Sequence, residues 1–173
     1  AGRDKPLELL SGRPLVSHVL ARLADQASSV VISANRNLPE YRQFGFPVVK
    51  DQMTDSGPLA GLQAGLAVTD DQWIFVCPGD APLLPVDLIE RLTTRLASGV
   101  DAVIPHDGER PQHLFMLLKR QVACGVTAYL EQGGRSVGKW LSGLEVAEVS
   151  VPDSRAFTNV NTPEELAQAE RLV

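Results

Sequence analysis

Short runs of β-branched and aromatic residues alternate with amphipathic stretches along most of the chain. Residues 14–26 place Leu15, Val16, Val19, Leu20 and Leu23 on one stripe at i, i+4 and i+8, the spacing of a helix lying on a sheet. Residues 29–34 (SVVISA) predict a buried strand followed by Asn35, and residues 47–50 (PVVK) a short strand that ends at Asp51. Residues 59–68 predict a helix entered through a Gly-Pro turn, with Pro58 suited to the first turn. The run 73–77 (WIFVC) is apolar throughout, as in a central strand covered on both faces, and leads into Pro78-Gly79-Asp80-Ala81-Pro82.

The second half continues the alternation. Helices are predicted at 85–98, 122–132 and 137–141, and strands at 101–104, 113–118, 145–151 and 156–160. Thr162-Pro163-Glu164-Glu165 carries a strong helix-start signal: Thr162 as N-cap, Pro163 at the first position and Glu165 closing a capping box. No repeat, low-complexity tract or linker interrupts the pattern. Strands alternating with helices predict one α/β domain over residues 1–173, a mostly parallel central sheet with helices on both faces.

Composition narrows the function classes. A net charge of −5 argues against a protein that binds by neutralising a nucleic-acid backbone, though it leaves room for a single nucleotide. With 44% hydrophobic and 21% charged residues the chain lies well outside the disordered range. No apolar run reaches the roughly 18 residues of a membrane span, and nothing resembles a signal peptide. Cys77 and Cys124 are far apart, with no CxxC pair, so a reducing cytoplasm is expected.

In an open sheet of this kind ligands bind beyond the carboxyl ends of the strands. The polar residues standing directly after the apolar runs are Asn35, Asp51, Asp80 and the pair Asn159 and Asn161. Any one of them could be a turn or cap; a common rim is a stronger statement. Asp80 follows five apolar residues in a bend bracketed by Pro78 and Pro82. A lone carboxylate on a stiff bend suits Mg²⁺, which takes one or two carboxylates and completes its shell with water and phosphate oxygens. Gly57-Pro58-Leu59-Ala60-Gly61 opens a helix with glycines that admit close backbone approach, or forms an ordinary turn. Lys5 serves either to clamp phosphates or as solvated surface. His18, His106 and His113 lack metal-ligand spacing, Cys77 belongs to a core strand, and Arg110, Arg135 and Lys139 suit either an anionic acceptor or, more simply, a solvated surface. No GxSxG elbow and no complete phosphate loop of the GxxxxGK[ST] or GxGxxG type is present.

Taken in order, Asp4-Lys5-Pro6-Leu7, Asn35-Arg36, Gly57-Pro58-Leu59-Ala60-Gly61, Cys77-Pro78-Gly79-Asp80-Ala81-Pro82, Asp107-Gly108-Glu109-Arg110 and Asn159-Val160-Asn161-Thr162-Pro163-Glu164-Glu165 resemble the molybdenum cofactor guanylyltransferases. The resemblance spans essentially the whole chain. It implies a Rossmann-like nucleotidyltransferase fold and transfer of GMP from GTP to molybdenum-molybdopterin, with Mg²⁺ as cofactor and pyrophosphate as leaving group. Lys5 would contact the phosphates, Asn35 and Asp51 the guanosine, and Gly57, Pro58, Leu59 and Gly61 the base. Asp80 would hold Mg²⁺, and Asn159 and Asn161 would line the pterin side. Molybdoenzyme apoproteins or cofactor-delivery proteins are the implied partners. The family also carries a first strand and a glycine-rich LAGG…RMG loop, of which Ala1-Gly2 would be the last residues, so roughly 15–20 residues are expected ahead of Ala1. The alternatives are a cytidylyl- or sugar-phosphate nucleotidyltransferase, and a nucleotide-binding module without catalysis.

Overall fold

The computed structural model describes residues 4–53 and 57–172. Ala1 and Gly2, where the resemblance puts the end of the phosphate loop, lie outside the described residues. The chain enters through a 3₁₀ turn at Lys5–Leu7 and a tight antiparallel hairpin, β1 (Leu9–Leu10) with β2 (Arg13–Pro14). Helix α1 (Leu15–Ala24) follows and buries Leu15, Val16, Val19, Leu20 and Leu23, the stripe that the spacing predicts. His18 is also buried there, its Nε2 2.9 Å from the carbonyl of Leu10.

Two separate sheets follow. The first pairs β3 (Ile32–Ser33) with β4 (Val48–Val49) in parallel, with α2 (Leu38–Arg42) between them in sequence. Helix α3 (Pro58–Leu66) leads to the second sheet, built from β5 (Trp73–Val76), β6 (Ala102–His106), β7 (Met116–Lys119) and β8 (Val146–Ser150) in the order β5-β7-β6-β8. Helix α4 (Leu88–Thr93) joins β5 to β6; α5 (Arg120–Ala123), α6 (Val126–Glu131) and α7 (Val137–Leu141) lie between β7 and β8; and α8 (Pro163–Glu170) ends the fold.

Alternation along β6 and β7 divides the core. Ala102, Ile104, Met116 and Leu118 face one way and pack with Leu59 and Leu62 of α3 and with Ala123, Val126, Leu130 and Trp140 of α5, α6 and α7. Val103, Leu117 and Phe115 face the other way onto α1, α4 and Phe157. Phe115 and Phe157 meet edge to face, their centroids 5.0 Å apart. Helices on both faces are therefore as predicted.

The sheet is mixed rather than mostly parallel. β7 runs antiparallel to both β5 and β6. Its link from β6 is the loop 107–115, and a parallel return would need a crossover of a dozen or more residues. Residues 156–160 do not form a strand: Ser154–Phe157 is a 3₁₀ turn, after which, among the described residues, the Val160 N–H donates to the Asp80 carbonyl without a ladder forming. The helix predicted over 122–132 is broken near Gly125 into α5 and α6. The capping box at Thr162 and Glu165 forms in both directions.

Candidate functional site

The rim after β5 is assembled by three segments that meet at Asp80. Gly79 lies against Pro6: a Cβ on Gly79 would sit 3.4 Å from the Pro6 Cβ, so the 3₁₀ turn carrying Lys5 packs directly on the bend. From the third segment the Val160 N–H donates to the Asp80 carbonyl at 3.0 Å. Lys5 Nζ then donates to Asn161 Oδ1 at 2.5 Å, and Asn161 Nδ2 to the Asn159 carbonyl at 3.2 Å. The capping box explains why this last loop is stiff, since Glu165 accepts from the N–H groups of Asn161 and Thr162 at 2.7 and 2.9 Å. Partial burial pushes the Asp80 carboxyl above the usual range, opposed by its own backbone N–H and by the Lys5 ammonium.

A second cluster forms at the ends of β3 and β4. Asn35 and Asp51 clasp each other: Asn35 Nδ2 donates to Asp51 Oδ2 at 2.8 Å, and the Asp51 N–H to Asn35 Oδ1 at 3.1 Å. Ser33 Oγ donates to the other carboxylate oxygen of Asp51 at 2.5 Å. Sequence reasoning missed Ser33. Its signal was available, because residues 33 and 35 of an extended segment share a face. Helix α3 presses onto this cluster at Gly61, where a Cβ would lie 3.2 Å from Ser33 Oγ. Gly61 therefore serves the protein's own packing. Gly57, with φ of 68° and ψ of −161°, holds a backbone conformation that is essentially glycine's alone.

One trench of about 780 Å³ joins the two clusters. Ser33, Asp51, Gly57, Pro58, Gly61, Asp80 and Asn159 give it a polar mouth, while Val16, Leu20, Ile32, Ile74 and Phe75 give it apolar walls. Leu59 does not line it; its side chain is wholly buried in the core under β6 and β7. Only its backbone, in the first turn of α3, remains for a ligand. Lys5, Asn35 and Asn161 reach the mouth through the bonds given above. Asn159 Oδ1 is buried without a hydrogen-bond partner, an acceptor waiting for a donor. Cys77 belongs to the wall, where it is partly buried, and desolvation pushes its thiol up to about 12.

Among the described residues no three His, Cys, Asp or Glu side chains gather to cage a metal. What the mouth offers a cation is Asp80, since the other carboxylate named there, Asp51, is already engaged by Ser33 and Asn35. That fits Mg²⁺ brought in with substrate phosphates and does not fit a dedicated protein cage.

Residues 1–146 match the model of the MobA-like NTP transferase domain. The molybdenum cofactor guanylyltransferase of Vibrio campbellii is 40% identical over 173 residues, covering 99% of this chain and 88% of that protein. The enzyme of the same name from Cupriavidus necator is 41% identical over 176 residues, covering 98% of this chain and 88% of that protein. Among solved structures, the molybdopterin-guanine dinucleotide biosynthesis protein A of Archaeoglobus fulgidus superposes with a TM-score of 0.81 at 23% identity, over 99% of this chain and 91% of that one. The 2-C-methyl-D-erythritol 4-phosphate cytidylyltransferase of Thermus thermophilus shares the fold at a TM-score of 0.74 and 16% identity, over 99% of this chain and 95% of that one. With its motifs in order, its nucleotidyltransferase fold and relatives at this identity over nearly the full length, the chain belongs to the molybdenum cofactor guanylyltransferase family.

Proposed function

We propose that the chain transfers GMP from GTP to the phosphate of molybdopterin carrying molybdenum, with Mg²⁺, in the cytoplasm. An oxygen of the pterin phosphate attacks the α-phosphorus of GTP; the new P–O bond forms as the bond to the β-phosphate bridge breaks, and pyrophosphate leaves. The acceptor is a phosphate monoester with a second pKa near ~6, so it is already anionic at neutral pH and needs no strong base. The chain's part is positioning and charge neutralisation. Lys5 binds the leaving phosphates. Asn35 and Asp51, already locked to each other and to Ser33, present a fixed polar edge to the guanosine. The first turn of α3 offers N–H groups to the base. Asn159 and Asn161 bound the pterin side. Mg²⁺ held by Asp80 would supply neutralisation of the triphosphate charge.

The observation that carries this reading is the trench: the Gly57–Gly61 turn and Asp80 open on the same cavity, so one molecule can touch both. Binding of GTP, CTP and UTP measured in competition, with pyrophosphate release on adding the acceptor, tests it. GTP should win, and Asp80→Ala should remove turnover while leaving the circular dichroism spectrum unchanged. Preference for CTP would move the chain to the cytidylyl branch, and GTP binding without pyrophosphate release would make it a binding module.

The apolar depth of the trench asks for a different occupant. Among the described residues β3 pairs only with β4 and β5 only with β7, and both line the trench with apolar residues from α1 and α3 on either side. An extended apolar segment seated there joins the two sheets into one, and the strand expected ahead of Ala1, with its phosphate loop, suits that seat. In a longer chain carrying that strand, the edge amides of β3 and β5 should exchange with deuterium far more slowly than in residues 1–173 alone; equal rates would reject this seating.

A further inference from the structure

Lysine is a poor choice for a fixed contact unless something else fixes it. Its ammonium is strongly hydrated and its flexible four-carbon stem loses much rotamer freedom when it is held in one place. In this fold the residue before Lys5 is tied down unusually well. Asp4 Oδ1 accepts from the Tyr41 hydroxyl at 2.9 Å, and Asp4 Oδ2 accepts from Asn37 Nδ2 at 2.8 Å, with Arg36 Nε 3.7 Å away. Each partner comes from the segment that follows β3.

The anchor behind Asp4 is rigid. The Tyr41 ring is only 4% exposed, packed in a cluster with Val16, Leu20 and Ile32. Burial and the adjacent Asp4 carboxylate push its hydroxyl well above the ordinary phenol value, so it remains a donor at any working pH. Asn37 sits at φ 49° and ψ 34°, a left-handed conformation that asparagine tolerates better than most residues. Leu7, two residues beyond Lys5, packs on the same apolar cluster as Tyr41. Lys5 is thus gripped on one side through the polar contacts of Asp4 and on the other through Leu7, and its ammonium projects to Asn161 and towards Asp80.

We propose that Asp4 and Tyr41 are positioning residues, which set the backbone of Lys5 so that its ammonium meets the nucleotide phosphates; this rests on Lys5 being a phosphate contact. The carboxylate of Asp4 thereby takes its support from the segment that follows β3.

The test compares Tyr41→Phe, Asp4→Asn, Lys5→Ala and the two double variants that combine Tyr41→Phe or Asp4→Asn with Lys5→Ala, with affinities for GTP and for guanosine measured by calorimetry in Mg²⁺. Tyr41→Phe keeps the ring in its cluster and deletes one hydrogen bond to a charged group. It should weaken GTP binding by roughly tenfold, leave guanosine binding unchanged, and add less than about twofold in the Lys5→Ala background. Asp4→Asn should weaken GTP binding in the same background-dependent way. An equal loss with and without Lys5, an equal loss for guanosine, or no loss for GTP would each overturn the proposal. If Lys5→Ala leaves GTP binding intact, Lys5 is not a phosphate contact and both readings fail; if Lys5→Ala weakens it and Tyr41→Phe does not, only the positioning role fails.

Discussion

Two glycines four residues apart on α3 should respond to alanine in opposite ways. An alanine in a helix interior is favoured over glycine by about 0.5–1 kcal/mol, because glycine loses more backbone freedom on folding. At Gly65 nothing lies within 4 Å of where the methyl would go. The gain there is unopposed, and in a domain of this length about 1 kcal/mol raises Tm by roughly 2–4 °C. At Gly61 the methyl would lie 3.2 Å from Ser33 Oγ, 3.3 Å from Ser33 Cβ and 3.9 Å from Asp51 Oδ1. Inserting a methyl into such a contact costs about 1–3 kcal/mol, which cancels or exceeds the propensity gain. The two variants should therefore differ by about 2 kcal/mol, or roughly 4–8 °C in Tm. Gly61→Ala should also weaken GTP binding, since relief of the contact moves Ser33 away from Asp51. Differential scanning calorimetry and GTP titration on residues 1–173 decide the matter. Equal stabilisation by both substitutions, with unchanged GTP affinity at Gly61, would show that this glycine does not set the distance between α3 and the strand-end cluster.

Other substitutions separate function from stability. The Asp80 carboxyl titrates above the ordinary range because it is partly desolvated, so its protonated form favours the fold; the associated stability is present below the ordinary aspartate value near ~3.9 and is lost as pH rises through the raised one. Asp80→Asn should accordingly abolish turnover yet melt no lower than the parent at pH 7, and a lower Tm there would contradict this account. Asp107 behaves oppositely: the N–H groups of Arg110 and Glu109 and the Gln112 amide hold its carboxyl below the usual range. Its stabilisation is present above the ordinary aspartate value and disappears as pH falls through the lowered one, so Asp107→Ala should lower Tm at pH 7 and converge with the parent in acid melts. Thr162→Ala removes the N-cap of α8 and should cost about 1 kcal/mol, seen as a Tm lower by roughly 2–4 °C.

How far the sequence was legible depended on how local the determining physics was. The capping box at Thr162 and Glu165, the buried stripe of α1 and the Asp80 bend between two prolines are decided within a few residues, and all three form where the pattern put them. The direction of β7 was not legible from its own residues, because apolar MLLK suits either sense; the brevity of the 107–115 link decided it. Residues 156–160 carry strand-like composition, yet β8 ends at Ser150, the chain turns at Ser154–Phe157, and Ala156 and Phe157 are buried in the core with Phe115 and Leu117. Leu59 shows the limit most clearly. The motif that contains it was legible as a functional turn, but a motif does not say which side chains face the ligand. That is set by helix rotation: Gly57, Pro58 and Gly61 line the trench, whereas Leu59 and Ala60 turn inward and are fully buried. Ser33 is a different case: the period of two that puts it on the face of Asn35 is local and was readable, whereas the approach of α3 to it at Gly61 is a tertiary fact. In this site, then, the residues that touch ligand and those that hold the touching residues are distinguished by the third dimension alone, and the Gly61→Ala and Tyr41→Phe experiments both probe the holding residues.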